Sequence, residues 1–303
     1  MSKIVDLNPP RSQSRARAYV ILFSLSVIWG LAFVAIRAAG YELSPPSLSL
    51  VRWLIASAVF AALLPFARSR MRFERRDVPR LVVVGLMNVV LYGLTLNYAE
   101  TTISAGLAGL LVSLGPVFMV VFSVLTLKEA VGRRLIYALL LAVLGSVLLS
   151  VSELNVRGDS VTGSLEAIFA ALMYAGFTIL AKPLIEKYGA LPVTIWSSIA
   201  GTVFLLPFLS AEFFRQVTAL SYQGWFSVLY LSVFSTVVGY SLFYTLVGKG
   251  AVSTLSVQLY LVPIVGVVGG ILILQEQLTI FTILGGAATL AAVGLARTTA
   301  KRR

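Results

Sequence analysis

Amides and aromatic hydroxyls recur at helical spacing inside long apolar runs. Asn88, Tyr92 and Thr95 stand at i, i+4 and i+7, so a helix places them on one face. Thr236, Tyr240 and Tyr244 repeat the i+4 step in a second run. Thr254 and Gln258 share a face in a third, with Tyr260 close by. Tyr174 and Thr178 do so in a fourth. Ser26, Trp29 and Phe33 sit together in a fifth, and Asn97 and Tyr98 close the first. Tyr and Trp rings stack on apolar or aromatic bodies and keep a polar handle. Amides and phenols can hold carboxylate and ammonium groups without burying a fixed charge. The candidate solute-binding residues are therefore Trp29, Asn88, Tyr92, Tyr98, Tyr174, Tyr240, Tyr244, Gln258 and Tyr260. For Tyr98, near the end of its run, an aromatic-belt position is the alternative. For Trp29 it is core packing. Ser and Thr can bond the carbonyls of their own helix, so they weigh little.

Catalytic chemistry finds no such support. The chain has no Cys and no His, which removes disulfides, thiolate nucleophiles and the commonest metal ligand and general base. Paired carboxylates inside the runs are missing too. An enzyme is not expected, and neither is a cofactor or a metal. Of the twelve acids, none falls in the middle of a run, and Glu166 alone lies inside one, about a turn from its end. Proton relays commonly use embedded carboxylates or His. Movement of solute down its gradient, without a dedicated relay, is the simplest expectation. Arg52 is the most embedded basic residue. Glu42 is its expected partner, and contact with a solute carboxylate is the alternative. Glu129 and Arg133 form an i,i+4 pair at a helix end.

The elements that carry these residues follow from composition. Of 303 residues, 58% are hydrophobic and only 12% charged, where soluble domains carry about 25% charge. A spanning helix needs roughly 20 apolar residues, so ten would leave only short loops. Ten candidate spans can be read: 19–37, 46–66, 79–98, 103–127, 133–151, 162–182, 191–210, 222–247, 251–274 and 279–297. The fold class expected is all-α integral membrane, with cytoplasmic tails at 1–18 and 298–303. The net charge of +12 reads as a topology signal rather than a nucleic-acid surface. Alternate loops carry twenty Lys and Arg on one side against four on the other. By the positive-inside rule both termini are cytoplasmic. The polar, basic 1–18 stretch does not read as a signal peptide.

The halves repeat each other. Pro116 lies thirteen residues before Glu129, and Pro263 thirteen before Glu276. Trp29 lies eight before Arg37, and Tyr174 eight before Lys182. The offsets run from 142 to 147 residues. Five spans per half, at 19–151 and 162–297, is an odd number, so the second half should be inverted relative to the first. Such halves can exchange conformations and open a central site to each side in turn. Pro116 and Pro263 each remove a backbone hydrogen bond inside a span and are the candidate hinges.

The segments IWGLAFVAIR, SLVRWLIA, ISAGLAGLLVSLGPVFMVVFSVLTLKE and VSTLSVQLYLVPIVGVVGGILILQE resemble the EamA-type drug/metabolite transporter superfamily. Within it the chain is most similar to bacterial aromatic amino acid exporters. The resemblance implies ten spans in two inverted repeats, in the bacterial inner membrane. It also implies export of small metabolites, amino acids among them. A multidrug or nucleoside-type efflux carrier is the alternative. The expected partners are a small solute and the lipid bilayer, with a monomer as the working unit.

Overall fold

In hydrocarbon every backbone polar group must pair within its own segment, which leaves helices as the solution for apolar runs. The computed structural model describes residues 12–63, 73–115, 117–119, 121–122, 133–157, 161–248 and 255–300. Among these, every regular element is helical. The helices are α1 (Ser12–Ala39), α2 (Pro45–Leu63), α3 (Val78–Thr102), α4 (Ala105–Val112), α5 (Arg133–Arg157) and α6 (Val161–Tyr188). They continue as α7 (Ala190–Val203), the short α8 (Ala211–Thr218), α9 (222–248), α10 (Leu255–Leu274) and α11 (Ile280–Ala300). Five stretches are long and apolar enough to cross a bilayer: Val20–Ala39, Pro45–Leu63, Val78–Thr102, Val161–Tyr188 and Tyr222–Leu246. Shorter apolar helical segments include Ile136–Leu149, Ala190–Val203, Leu261–Leu274 and Ile280–Leu295.

The two halves interlock. α1 runs along α10, and α4 packs on both α10 and α6. α3 lies between α6 and α7, and α2 packs on α9. α5 and α11 form a separate pair at the edge, where Gly145 and Gly285 bring the backbones together. The outward face of α5 is apolar (Tyr137, Leu140, Val143 and Val147), as a surface toward lipid requires. The buried core includes Trp53, Phe60, Phe177 and Tyr244.

Both halves carry a π-helical stretch inside a long span. It covers Leu86–Leu94 in α3 and Tyr230–Val238 in α9, 144 residues apart. That separation falls inside the 142–147 offset of the sequence repeat. π segments inside α-helices frequently mark functional sites.

One sequence boundary shifts. The polar TLNYAETT stretch reads as the end of a span near residue 98, yet α3 stays helical to Thr102. It is packed on α2 and α6, and buried contacts hold it helical despite its low apolar content. Glu100 is consequently inside the helix and 2% exposed. The expectation of a single acid within the spans therefore fails at this residue.

Side-chain contacts tie the helix ends at two faces. At the face of the α1–α2 turn, Glu42 accepts the Ser221 backbone N–H at 2.7 Å and its hydroxyl at 2.6 Å. Ser44 binds Gln216 on α8 from both its N–H and its hydroxyl. Arg37 donates to the Glu100 carbonyl. At the opposite face, Lys187 reaches Glu74 and Asp77 at 2.6 Å each. The Tyr188 hydroxyl also donates to Asp77 at 2.6 Å. The Lys187 contact holds both carboxyls below the usual carboxylate range, and Tyr188 adds to this at Asp77.

Candidate functional site

A cleft lies where the halves meet. α1 contributes Trp29, Ala32, Phe33 and Ile36 to its wall, and α2 contributes Arg52. α3 adds Tyr92 and Leu96, α4 adds Gly109 and Val112, and Ser113 follows at its C-terminal end. From the second half come Tyr174 on α6, Ser235 and Tyr240 on α9, and Val262 and Pro263 on α10. In this conformation the cleft is tight, with about 70 Å³ of free volume, below the roughly 300–1,000 Å³ of small-molecule sites. The wall is mostly apolar and aromatic, with a few convergent polar groups.

The rings form one connected array. Trp29 lies 5.4 Å from Tyr240, 5.1 Å from Phe243 and 6.5 Å from Tyr174, edge-on to the last. Tyr92 and Tyr174 are 6.0 Å apart. Aromatic pairs at such separations and tilts are mutually stabilising. Two glycines make the room. A Cβ on Gly239 would meet the Trp29 indole nitrogen, and one on Gly115 would lie 2.6 Å from the Tyr174 ring.

The π segment of α9 supplies the polar anchors. Where π pairing returns to α pairing, a backbone carbonyl is left free for another donor. Trp29 Nε1–H donates to the Ser235 carbonyl at 3.0 Å. The Tyr230 hydroxyl donates to the Ile28 carbonyl at 2.9 Å. α1 and α9 are thus tied together across the halves. Arg52 Nε–H donates to Thr236 Oγ1 at 3.0 Å, and a terminal nitrogen donates to Ser235 Oγ at 3.4 Å. The Thr236 hydroxyl donates in turn to the Leu231 carbonyl, five residues back, at 2.8 Å.

Of the residues singled out from sequence, Trp29, Tyr92, Tyr174, Tyr240 and Pro263 line this cleft. Others stand elsewhere. Asn88 is 1% exposed in the π segment of α3 but is not part of the wall. Tyr244 is 1% exposed, its ring 6.3 Å from Tyr240 and nearly perpendicular to it, and it packs in the core. Tyr98 is 41% exposed on the last turn of α3 and faces out of the bundle. It is not among the residues of the cleft wall. The side chains of Gln258 and Tyr260, and all of Pro116, lie outside the described residues.

Arg52 is the residue that periodicity undervalued. Its expected partner Glu42 is engaged at Ser221 instead. An embedded cation was the available signal, but sequence spacing could not show that it faces a cleft. Among the described residues there is no cluster of metal-ligating side chains.

A bundle of apolar helices from two repeats, closed around a central cleft, is the plan of a multi-pass membrane transporter. The chain belongs to the EamA-like transporter family, whose profile matches residues 16–151 and again 161–298. It is 30% identical over 270 residues to an uncharacterized transporter of Archaeoglobus fulgidus, covering 89% of this chain and 94% of that one. It is 32% identical to a "probable terminal-alkyne amino-acid exporter" of Streptantibioticus cattleyicolor, covering 91% and 93%. A "probable amino-acid metabolite efflux pump" of Escherichia coli is 26% identical, with 88% and 90% covered. A solved crystal structure shares the fold at a TM-score of 0.63 and 17% identity, over 95% of this chain and 98% of that chain.

Proposed function

We propose that the protein is an inner-membrane carrier that exports small amphipathic metabolites, aromatic amino acids among them, by alternating access of the central cleft. The observation that carries this is the cleft itself. Five aromatic residues (Trp29, Phe33, Tyr92, Tyr174 and Tyr240) and one cation, Arg52, converge on it from both halves. Rings suit the apolar body of an amino acid, and the polar groups suit its head. Relatives named as amino-acid exporters support the same substrate class. The paired π segments and the double family match support two equivalent halves. On this reading the chain makes ten spans in inverted five-helix repeats, with both termini cytoplasmic. Pro116 and Pro263 are the hinges. Gln258 and Tyr260 join the binding set from α10.

Purified protein in proteoliposomes loaded with a panel of radiolabelled amino acids tests this. Saturable efflux of Phe, Tyr or Trp, accelerated by the same solute on the opposite side, is the expected result. Efflux confined to nucleosides or cationic drugs would replace the substrate class. Solute-independent, unsaturable flux would replace the carrier by a channel.

A further inference from the structure

Arg52 is a buried cation in the wall of the cleft, 6% exposed. Buried charges in a membrane interior are costly and are ordinarily paired. Among the described residues Arg52 forms no ion pair. Glu100 lies within electrostatic reach of it, but the buried Glu100 carboxylate oxygens make no hydrogen bond to it or to any other described residue, and Arg37 holds only the Glu100 backbone carbonyl. Glu276 is committed to the backbone of Ala105 and Gly106. The direct polar contacts of Arg52 are two neutral hydroxyls, Thr236 and Ser235.

The geometry of those contacts leaves a defined vacancy on the guanidinium. Arg has five N–H donors in a planar fork. The hydroxyls take Nε and one terminal nitrogen, which form one edge of the plane. The remaining edge, between the two terminal nitrogens, is the kind that carboxylates bind through two parallel hydrogen bonds. The Trp53 ring, 5.7 Å from the guanidinium carbon, fixes the plane further. No Asp or Glu stands among the described wall residues. The wall itself therefore offers a solute ammonium ring faces and hydroxyls, the buried Glu100 carboxylate not being part of it.

We propose that Arg52 is the carboxylate-binding residue of the cleft, and that the cleft selects a carboxylate on an aromatic or branched apolar body. The α-amino group is dispensable. The substrate class then extends beyond amino acids to deaminated aromatic acids and to amino acids blocked at nitrogen. Thr236 and Ser235 act as positioning residues, holding one edge of the guanidinium so that the other faces the solute. This rests on the carrier function proposed above and narrows it.

The test uses the full chain, purified in detergent, with Trp fluorescence as a binding signal that does not depend on transport. Phenylalanine, 3-phenylpropanoate and phenylalaninamide are titrated separately and then used as competitors of efflux in proteoliposomes. Phenylpropanoate should match phenylalanine within about threefold. The amide should bind about ten- to a hundredfold more weakly, the loss expected for removing hydrogen bonds to a charged partner. Arg52→Gln should bind all three with similar weakness. Because that variant could fold poorly, Thr236→Val provides a second arm, expected to weaken the two acids while leaving the amide unchanged. An amide that binds wild-type protein as well as the acids would overturn the proposal. So would a folded Arg52→Gln that still prefers acids, or the absence of binding by all three ligands. Carboxylate-selective binding without amino acid efflux would uphold this inference and remove the export function. Efflux without carboxylate preference would do the reverse.

Discussion

The Glu276 carboxylate, from the second half of the chain, accepts the Ala105 backbone N–H of the first half at 2.8 Å. Its other oxygen takes the Gly106 N–H at 3.2 Å. These are the first two amides of α4, which no helical carbonyl can satisfy, and the negative charge suits that end of the helix. Ser104 supplies the ordinary cap by accepting the Leu107 N–H at 3.3 Å. One side chain thus fastens the start of a cleft-lining helix to the end of α10, 171 residues away.

Glu276→Ala should lower stability by about 0.5–2 kcal/mol, the usual cost of losing a helix cap. Glu276→Gln keeps an acceptor and should lose less. Thermal unfolding in detergent reads the difference, and equal losses in both variants would show that the contact does not stabilise α4.

Gly239→Ala should displace Trp29, because the new methyl would occupy the place of its indole nitrogen. Overpacking of this kind costs about 1–3 kcal/mol. Losing the bond from Trp29 to Ser235 should also loosen the α1–α9 junction. The expected readout is a shifted Trp emission and efflux reduced about tenfold, as a ~1.4 kcal/mol loss would give. Wild-type emission in this variant would argue against the packing described.

The cluster of Glu74, Asp77 and Lys187 should make stability depend on acid. Both carboxyls are held below their usual range in the folded protein, so their contribution is present at neutral pH. It should fade as pH falls from about 4, where free carboxylates begin to protonate, through the lower folded values. Asp77→Asn should unfold more easily than wild type at pH 7. The gap should close in acid, and it should shrink at high salt because the groups are partly exposed. A gap that widens on acidification would contradict this assignment.

Cysteine substitution tests the topology in a chain that has no native Cys. Arg72→Cys and Glu186→Cys should react with impermeant thiol reagents only after the cytoplasmic side is opened. Labelling of either variant in intact cells would reverse the orientation.

The hinge prolines should act in opposition if the repeats are inverted. Pro263 lines the cleft within α10, and Pro116 is its counterpart in the sequence repeat. Removing either restores one backbone hydrogen bond, worth roughly 0.5–1.5 kcal/mol, a population shift of up to about tenfold. Pro116→Ala and Pro263→Ala should bias opposite openings, read by cysteine accessibility at the two ends of their spans. Identical changes in both would make these residues static kinks.

Much of this protein is legible without coordinates, and the reason is the solvent. A bilayer admits few backbone solutions, so apolar runs fix where the helices lie, and the paired Pro-to-Glu segments fix the repeat. Period 3.6 also sorts residues onto faces, which is how Tyr92 and Tyr240 stand out. Periodicity orients a residue only about its own helix axis, however. Which faces meet depends on helices far apart in the chain, as the 206-residue separation of Trp29 and Ser235 illustrates. Tertiary packing decided that Tyr244 and Asn88 belong to the core and that Tyr98 points outward. It kept TLNYAETT helical and so buried Glu100. It also gave Glu42 to Ser221, leaving Arg52 to face the cleft with only hydroxyls beside it. Short-range pattern carries no information about that pairing, because it is set by the contact of α2 with a π-helical turn more than 180 residues later.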